Sequence, residues 1–146
     1  MTYRSMQPSD LPSLLRLERS YMDTVEPESV DAWTAALDRN LQLWVDCLPT
    51  SGVITDDEDR VAGIALWQVH ADVATLVTIH VTPRHRRAGL GGRLLEAFVA
   101  AGTAAGARRA VLGVHEGNTG AEELYEKHGF RFVRVDGPYR LFERVS

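Results

Sequence analysis

The sequence predicts a mixed α/β fold: a largely antiparallel central sheet of six to seven strands with about four helices on its faces. Three observations predict it. Apolar and β-branched runs bounded by turn residues recur at Val61–Val69, Val73–Val81 and Phe130–Val135, the texture of strands. Apolar residues spaced by three and four mark Leu11–Met22, Val30–Leu48 and Leu94–Ala101 as helices with one buried face. Between Val73 and Val114 the order strand, loop, helix, strand demands a crossover, which joins parallel strands of one sheet.

The elements follow in order. Tyr3–Met6 is a short strand, and Ser9-Asp10 offers a helix cap before Leu11, Leu14, Leu15, Leu17, Tyr21 and Met22. Pro27-Glu28-Ser29 opens a second amphipathic helix through Val30, Trp33, Leu37, Leu41, Trp44, Val45 and Leu48, ended near Pro49. Val53-Ile54-Thr55, a turn at Asp56-Asp57-Glu58-Asp59 and Val61–Val69 form a hairpin, which Val73–Val81 extends after Ala71-Asp72. A loop from Pro83 leads into the helix carrying Leu94, Leu95, Phe98, Val99 and Ala101, with Gly106 as its end before the strand Ala110–Val114. Asn118 caps a short helix bearing Leu124 and Tyr125, and His128-Gly129 ends it. Phe130–Val135 and Tyr139–Val145 make a terminal hairpin around Gly137-Pro138.

Residues 1–146 read as one domain, because two halves of so short a chain would each bury too little. Hydrophobic residues at 45% and charged residues at 25% exclude a disordered chain. Cys47 is the single cysteine, so no intramolecular disulfide and no cluster for a thiolate metal site can form, and it reads as a small core residue. No apolar run reaches the length of a signal peptide or a membrane span, and a soluble cytoplasmic protein without a membrane partner is expected. The net charge of 16 − 20 = −4 argues against nucleic acid as a partner. Its distribution is sharper: residues 1–59 carry 12 acids and 4 bases, residues 60–146 carry 8 acids and 12 bases. One end suits a cationic ligand and the other an anionic one.

The basic end is concentrated in Arg84-His85-Arg86-Arg87-Ala88-Gly89-Leu90-Gly91-Gly92, a loop that follows a strand and opens a helix. Glycines let the backbone come close, amides converge, and the helix dipole favours negative charge, so the expected ligand is a diphosphate. No Lys-Ser/Thr follows the glycines and no Gly-x-Gly-x-x-Gly is present, which removes the Walker and dinucleotide-fingerprint readings. Ile79-His80-Val81-Thr82-Pro83 with Arg86-Arg87-Ala88-Gly89-Leu90-Gly91 resembles the coenzyme-binding motif of the GNAT superfamily of acyl-CoA N-acyltransferases. Asn118, Ala121, Leu124-Tyr125 and Gly129-Phe130 are similar to that family's second signature, at the proper separation and order.

The resemblance implies a GNAT fold whose sheet splays at the acyl-CoA site, acetyl-CoA as co-substrate and no metal. Backbone N–H groups of Arg86, Arg87, Ala88, Gly89, Leu90, Gly91 and Gly92 would wrap the pyrophosphate, with Arg93 and Arg87 near its charges. Ile79 and Val81 would pair with the pantetheine arm as with an added strand, and Asn118 would contact it. Val81 N–H is the implied oxyanion donor and the Tyr125 hydroxyl the implied acid. The positions where relatives place a glutamate base hold Thr75 and Gly113, so His80 is the first substitute, followed by His115 and Glu116, and an amine of lowered pKa needs none. Direct attack in a ternary complex is expected, on behalf of a primary amine of a small cationic molecule held by the acidic half. A protein N-terminus or lysine as acceptor is the alternative, as is a regulatory module that binds acyl-CoA without turnover. Dimerisation is common in such relatives, and a homodimer is an expectation on that ground.

Overall fold

The computed structural model describes all residues from Met1 to Ser146. Seven strands form one sheet: β1 (Thr2–Ser5), β2 (Gly52–Thr55), β3 (Val61–His70), β4 (Val73–Val81), β5 (Arg109–His115), β6 (Arg131–Asp136) and β7 (Tyr139–Val145). Their spatial order is β1-β2-β3-β4-β5-β7-β6. Only β4 and β5 are parallel, as the crossover through the helix between them requires. The helices are α1 (Leu11–Val25), α2 (Val30–Ala35), α3 (Leu37–Cys47), α4 (Leu90–Ala104) and α5 (Ala121–Lys127). The mixed sheet agrees with the predicted fold class.

Each face of the sheet has its own core. On one face α4 lays Leu94, Leu95 and Phe98 against Trp67 and Leu76, and α5 adds Tyr125. Each wholly buried side chain of this size contributes about 1.5–3 kcal/mol. On the other face α1 and α3 bring Leu14, Trp44 and Cys47 onto Val53, Ile64 and Leu66. Cys47 is therefore the small core residue that was expected.

Three local expectations differ from the structure. The second helix is two, because the chain bends at Ala36, whose N–H is shared between the carbonyls of Ala32 and Trp33 at 3.0 and 3.2 Å. The bend lets Trp33 face the central cleft while Trp44 faces the sheet, and it makes the helices five rather than about four. Asp10 stands at the N-cap of α1 as expected, but its carboxylate gives no cap bond there: it accepts the Gln7 N–H at 2.8 Å and both Arg4 guanidinium nitrogens at 2.8 Å, which closes the turn Pro8–Asp10. Asn118 does not cap α5 directly; Gly120 does, and the Asn118 carbonyl accepts the Ala121 N–H at 3.3 Å.

Candidate active site

The site begins where two strands part. β4 and β5 pair only at Val73–Arg109, Ala74–Ala110 and Thr75–Val111. From Leu76 onward they diverge, which opens the notch required of an added-strand site. A bulge accompanies the divergence: Leu66 pairs with Thr78 and Trp67 with Leu76, leaving Val77 over. One extra residue flips the faces of everything beyond it. Leu76 lies in the α4-side core, yet Thr78 and His80 stand opposite Leu66 and Ile64, on the α1 side. The Thr82 N–H bonds the Ala62 carbonyl at 2.9 Å, so by alternation His80 turns its amide to β3. Ile79 and Val81 turn theirs into the gap.

Above the notch the basic loop presents a row of free donors. Arg86, Arg87, Ala88 and Gly89 give no backbone hydrogen bond, and the first intrahelical one in α4 runs from Arg93 N–H to Gly89 carbonyl at 3.1 Å. Leu90, Gly91 and Gly92 are therefore also unspent, as first-turn amides are. Left-handed backbone at Arg87 (φ 67°) and Gly89 (φ 75°) curls the segment. Arg84, Arg86, Arg87 and Arg93 are exposed. A run of convergent amides at a helix N-terminus, ringed by guanidinium groups, fits a diphosphate. The glycines have separate uses: a Cβ at Gly89 would meet nothing, one at Gly91 would meet Leu124 Cδ2 at 3.2 Å, and one at Gly92 would meet His128 Nε2 at 2.8 Å. Gly91 and Gly92 let α5 approach α4 as much as they clear room for a ligand.

On the α1 side the notch opens into a chamber of about 460 Å³. Its ionisable lining consists of Glu18, Glu26, His80 and His115 with Tyr21, Tyr125 and Tyr139, and no lysine or arginine lines it. His80 Nε2 lies 3.0 Å from Glu18 Oε1 and 2.9 Å from Thr78 Oγ1. Burial pushes the Glu18 carboxyl up, but the hydrogen bonds from His80 and Thr78 outweigh it and hold that carboxyl below its ordinary value. Glu26 is 4% exposed and accepts the Tyr139 hydroxyl at 2.7 Å. The Tyr139 and Tyr21 phenols are both pushed up, by burial first and then by Glu26. His115 accepts the Gly117 N–H on Nδ1 at 3.0 Å, so its proton sits on Nε2, 2.9 Å from Glu28 Oε1 but out of line for a hydrogen bond.

Tyr125 is 6% exposed, packs edge to face on Phe130 at 6.3 Å, and lines the chamber beside Asn118. Burial pushes its pKa to about 12, so the phenol stays protonated. The structure thus brings Ile79, His80, Asn118 and Tyr125 to one cleft, leaves Val81 outside its lining at the end of β4, and sets the loop Arg86–Gly92 apart from it. His115 lines the chamber, whereas Glu116 is exposed and outside it. Among the ionisable chamber residues, Tyr21 and Tyr139 have no role in the sequence reading, and Glu18 and Glu26 enter it only as part of the acidic half. Glu18 carried a readable signal, since Leu11, Leu14, Leu15, Glu18 and Met22 share one helical stripe and a carboxylate there must be buried. Glu26 and Tyr139 carried none, because their meeting depends on a contact across 113 positions.

Fold and site together define an acyl-CoA superfamily architecture, and the chain belongs to the acetyltransferase (GNAT) family, whose model matches residues 12–130. Among curated relatives, the chain is 39% identical over 88 residues to N-alpha-acetyltransferase 40 of Saccharomyces cerevisiae, covering 56% of this chain and 31% of that one. It is 41% identical over 82 residues to the ribosomal protein bS18-alanine N-acetyltransferase of Salmonella typhimurium, covering 56% and 55%. The match thus spans about a third to a half of these relatives' own length. Among solved structures, the PaiA N-acetyltransferase of Thermoplasma acidophilum in complex with coenzyme A has the same fold, with a TM-score of 0.83 at 19% identity over 99% of this chain and 98% of that one. No helix is long and apolar enough to cross a membrane.

Proposed function

We propose that the protein is an N-acyltransferase that moves an acetyl group from acetyl-CoA to a cationic primary amine. One observation carries the reading: the parted strands open directly into a chamber lined by two buried carboxylates and no lysine or arginine. An ammonium group is the cation such a chamber would draw in. The coenzyme's thioester supplies an activated acyl group. The loop Arg86–Gly92 and the Arg93 guanidinium hold the diphosphate, and the amides of Ile79 and Val81 with Asn118 hold the arm in the gap. Val81 N–H takes the negative charge that develops on the carbonyl oxygen. His80, its Nε2–H held by Glu18, has its Nδ1 lone pair free to accept the amine proton, directly or through water. Tyr125, protonated at working pH, donates a proton to the departing sulfur. Cys47, the last residue of α3, is buried in the core and does not line the chamber, which favours direct attack.

The names of the two relatives favour a protein α-amino group as acceptor, and the small cationic amine is the second reading. Release of free thiol from acetyl-CoA tests both, with peptides beginning in alanine or serine in one arm and spermidine and free amino acids in the other. Turnover in either arm supports the transferase. Coenzyme binding with no release from any amine makes the chain a non-catalytic acyl-CoA-binding module.

A further inference from the structure

Where the chamber ends, at the closed end of the β4–β5 gap, a second cavity of about 310 Å³ begins. Leu76 and Gly113 line both spaces. Gly113 is exposed, and a Cβ at that position would touch only Leu141 Cδ2, at 3.4 Å. No side chain therefore stands between chamber and branch at this point of β5. The two spaces differ in chemistry. Glu18 and Glu26 make the chamber a place for a cation, whereas the branch is walled by Val111, Leu112, Val133, Leu141 and Phe142. Its polar groups are Thr75, the Arg109–Glu143 pair, closed at 3.0 Å, and Arg134, which is exposed. An amine gains nothing there, while a hydrocarbon leaves water.

The gap runs along Ile79 and Val81 toward Leu76, so the branch lies beyond the thioester on the line by which the arm enters. We propose that the donor class extends past acetyl to straight-chain acyl groups of about four to six carbons, whose tail crosses Gly113 and lies along β5 toward Val111. The two-residue step from Gly113 to Val111 spans roughly 7 Å, which sets that length. The proposal rests on the reading that the gap receives the acyl-CoA arm. The bonds exchanged are those of acetyl transfer: the carbon–sulfur bond breaks, a carbon–nitrogen bond forms, the amine loses a proton and the thiol gains one. Gly113 then determines donor specificity, because a bulky side chain there would stand between chamber and branch.

Calorimetric titration of the purified protein with acetyl-CoA and hexanoyl-CoA tests this without an acceptor. Hexanoyl-CoA is expected to bind about tenfold more tightly, for methylene groups partly removed from water. Val111→Trp, and independently Leu141→Phe, should abolish that advantage and leave acetyl-CoA affinity within about twofold, which also reports an intact fold. Equal or weaker hexanoyl binding in the unaltered protein overturns the proposal. So does an advantage that survives both substitutions, or a Val111→Trp variant that keeps it while losing affinity for an acceptor peptide, which would give the branch to the acceptor. If neither ester binds, the function itself falls; if acetyl-CoA binds and hexanoyl-CoA does not gain, only the branch does.

Discussion

His80 Nε2 and Glu18 Oε1 meet at 3.0 Å although 62 positions separate them in the chain. A buried carboxylate that takes the Nε2–H fixes which ring nitrogen keeps the lone pair. Replacing Glu18 with glutamine removes the charge and blurs that choice of tautomer. Expected is a fall in kcat/KM of about tenfold or more with coenzyme affinity unchanged, measured by initial rates and calorimetry. Stability changes too, with a definite sign. The folded Glu18 carboxyl sits below its ordinary value, so its contribution is present above about pH 4.3 and is lost as pH falls through the lower folded value. Urea midpoints from pH 7 to pH 3 should therefore drop less steeply in Glu18→Gln than in the unaltered protein; parallel curves would remove Glu18 from this linkage.

Tyr125→Phe keeps the ring on Phe130 and deletes only the hydroxyl. As the loss of a proton donor, this should lower kcat by about a hundredfold while the acetyl-CoA Kd stays within about twofold. Because burial holds the phenol near a pKa of about 12, no alkaline limb from Tyr125 should enter the pH–rate profile below about pH 10. Unchanged turnover at saturating substrates would take Tyr125 out of the acid role.

Those two residues differ in how legible they were. Tyr125 could be singled out because Asn118, Tyr125 and Gly129-Phe130 form a contiguous block that resembles a family signature, and the candidate cradle because Arg86–Gly92 is contiguous. The strand order up to β5 was equally legible, since hairpins and crossovers follow from local periodicity. What escaped is what long-range register decides. The Val77 bulge sets the face of His80, and nothing in Val73–Val81 announces it. The placing of β7 between β5 and β6 brings Tyr139 to Glu26, and the bend at Ala36 gives Trp33 to the chamber. Each is a tertiary outcome that a one-dimensional pattern does not carry.

Glu26 supplies the second buried charge of the chamber, and its only clear hydrogen bond from a side chain is the Tyr139 hydroxyl at 2.7 Å. Its other neighbours are the Tyr21 phenol and, at 3.9 Å, the His115 Nε2, so no lysine or arginine pairs with it. A cationic acceptor would provide a positive partner. Glu26→Gln should raise the acceptor KM by about tenfold, leave kcat at saturation within about threefold and leave the coenzyme Kd alone. A matching loss in kcat, with KM unchanged, would move Glu26 from acceptor binding to the chemical step.

Gly89 and Gly92 stand three positions apart in one cradle, yet their substitution should fail in different ways. At Gly89 the backbone is left-handed (φ 75°) and a Cβ would enter empty space, so Gly89→Val clashes with nothing and strains the turn by about 1–2 kcal/mol. Relief of that strain swings the amides of Arg87–Leu90 out of convergence. Acetyl-CoA affinity should fall at least about tenfold, while whatever strain is not relieved in this way lowers Tm by a few degrees. At Gly92 a Cβ would lie 2.8 Å from His128 Nε2, and His128 Nδ1 is itself 2.6 Å from Glu96 Oε2. Gly92→Ala must push α5 off α4 or break that pair, at a cost of about 1–3 kcal/mol in stability. Its Tm should drop by several degrees, with the coenzyme affinity of the folded fraction less affected than in Gly89→Val. Calorimetry and thermal unfolding on the two variants separate the causes. Should Gly89→Val bind acetyl-CoA as the unaltered protein does, the left-handed turn is not what aligns the donors.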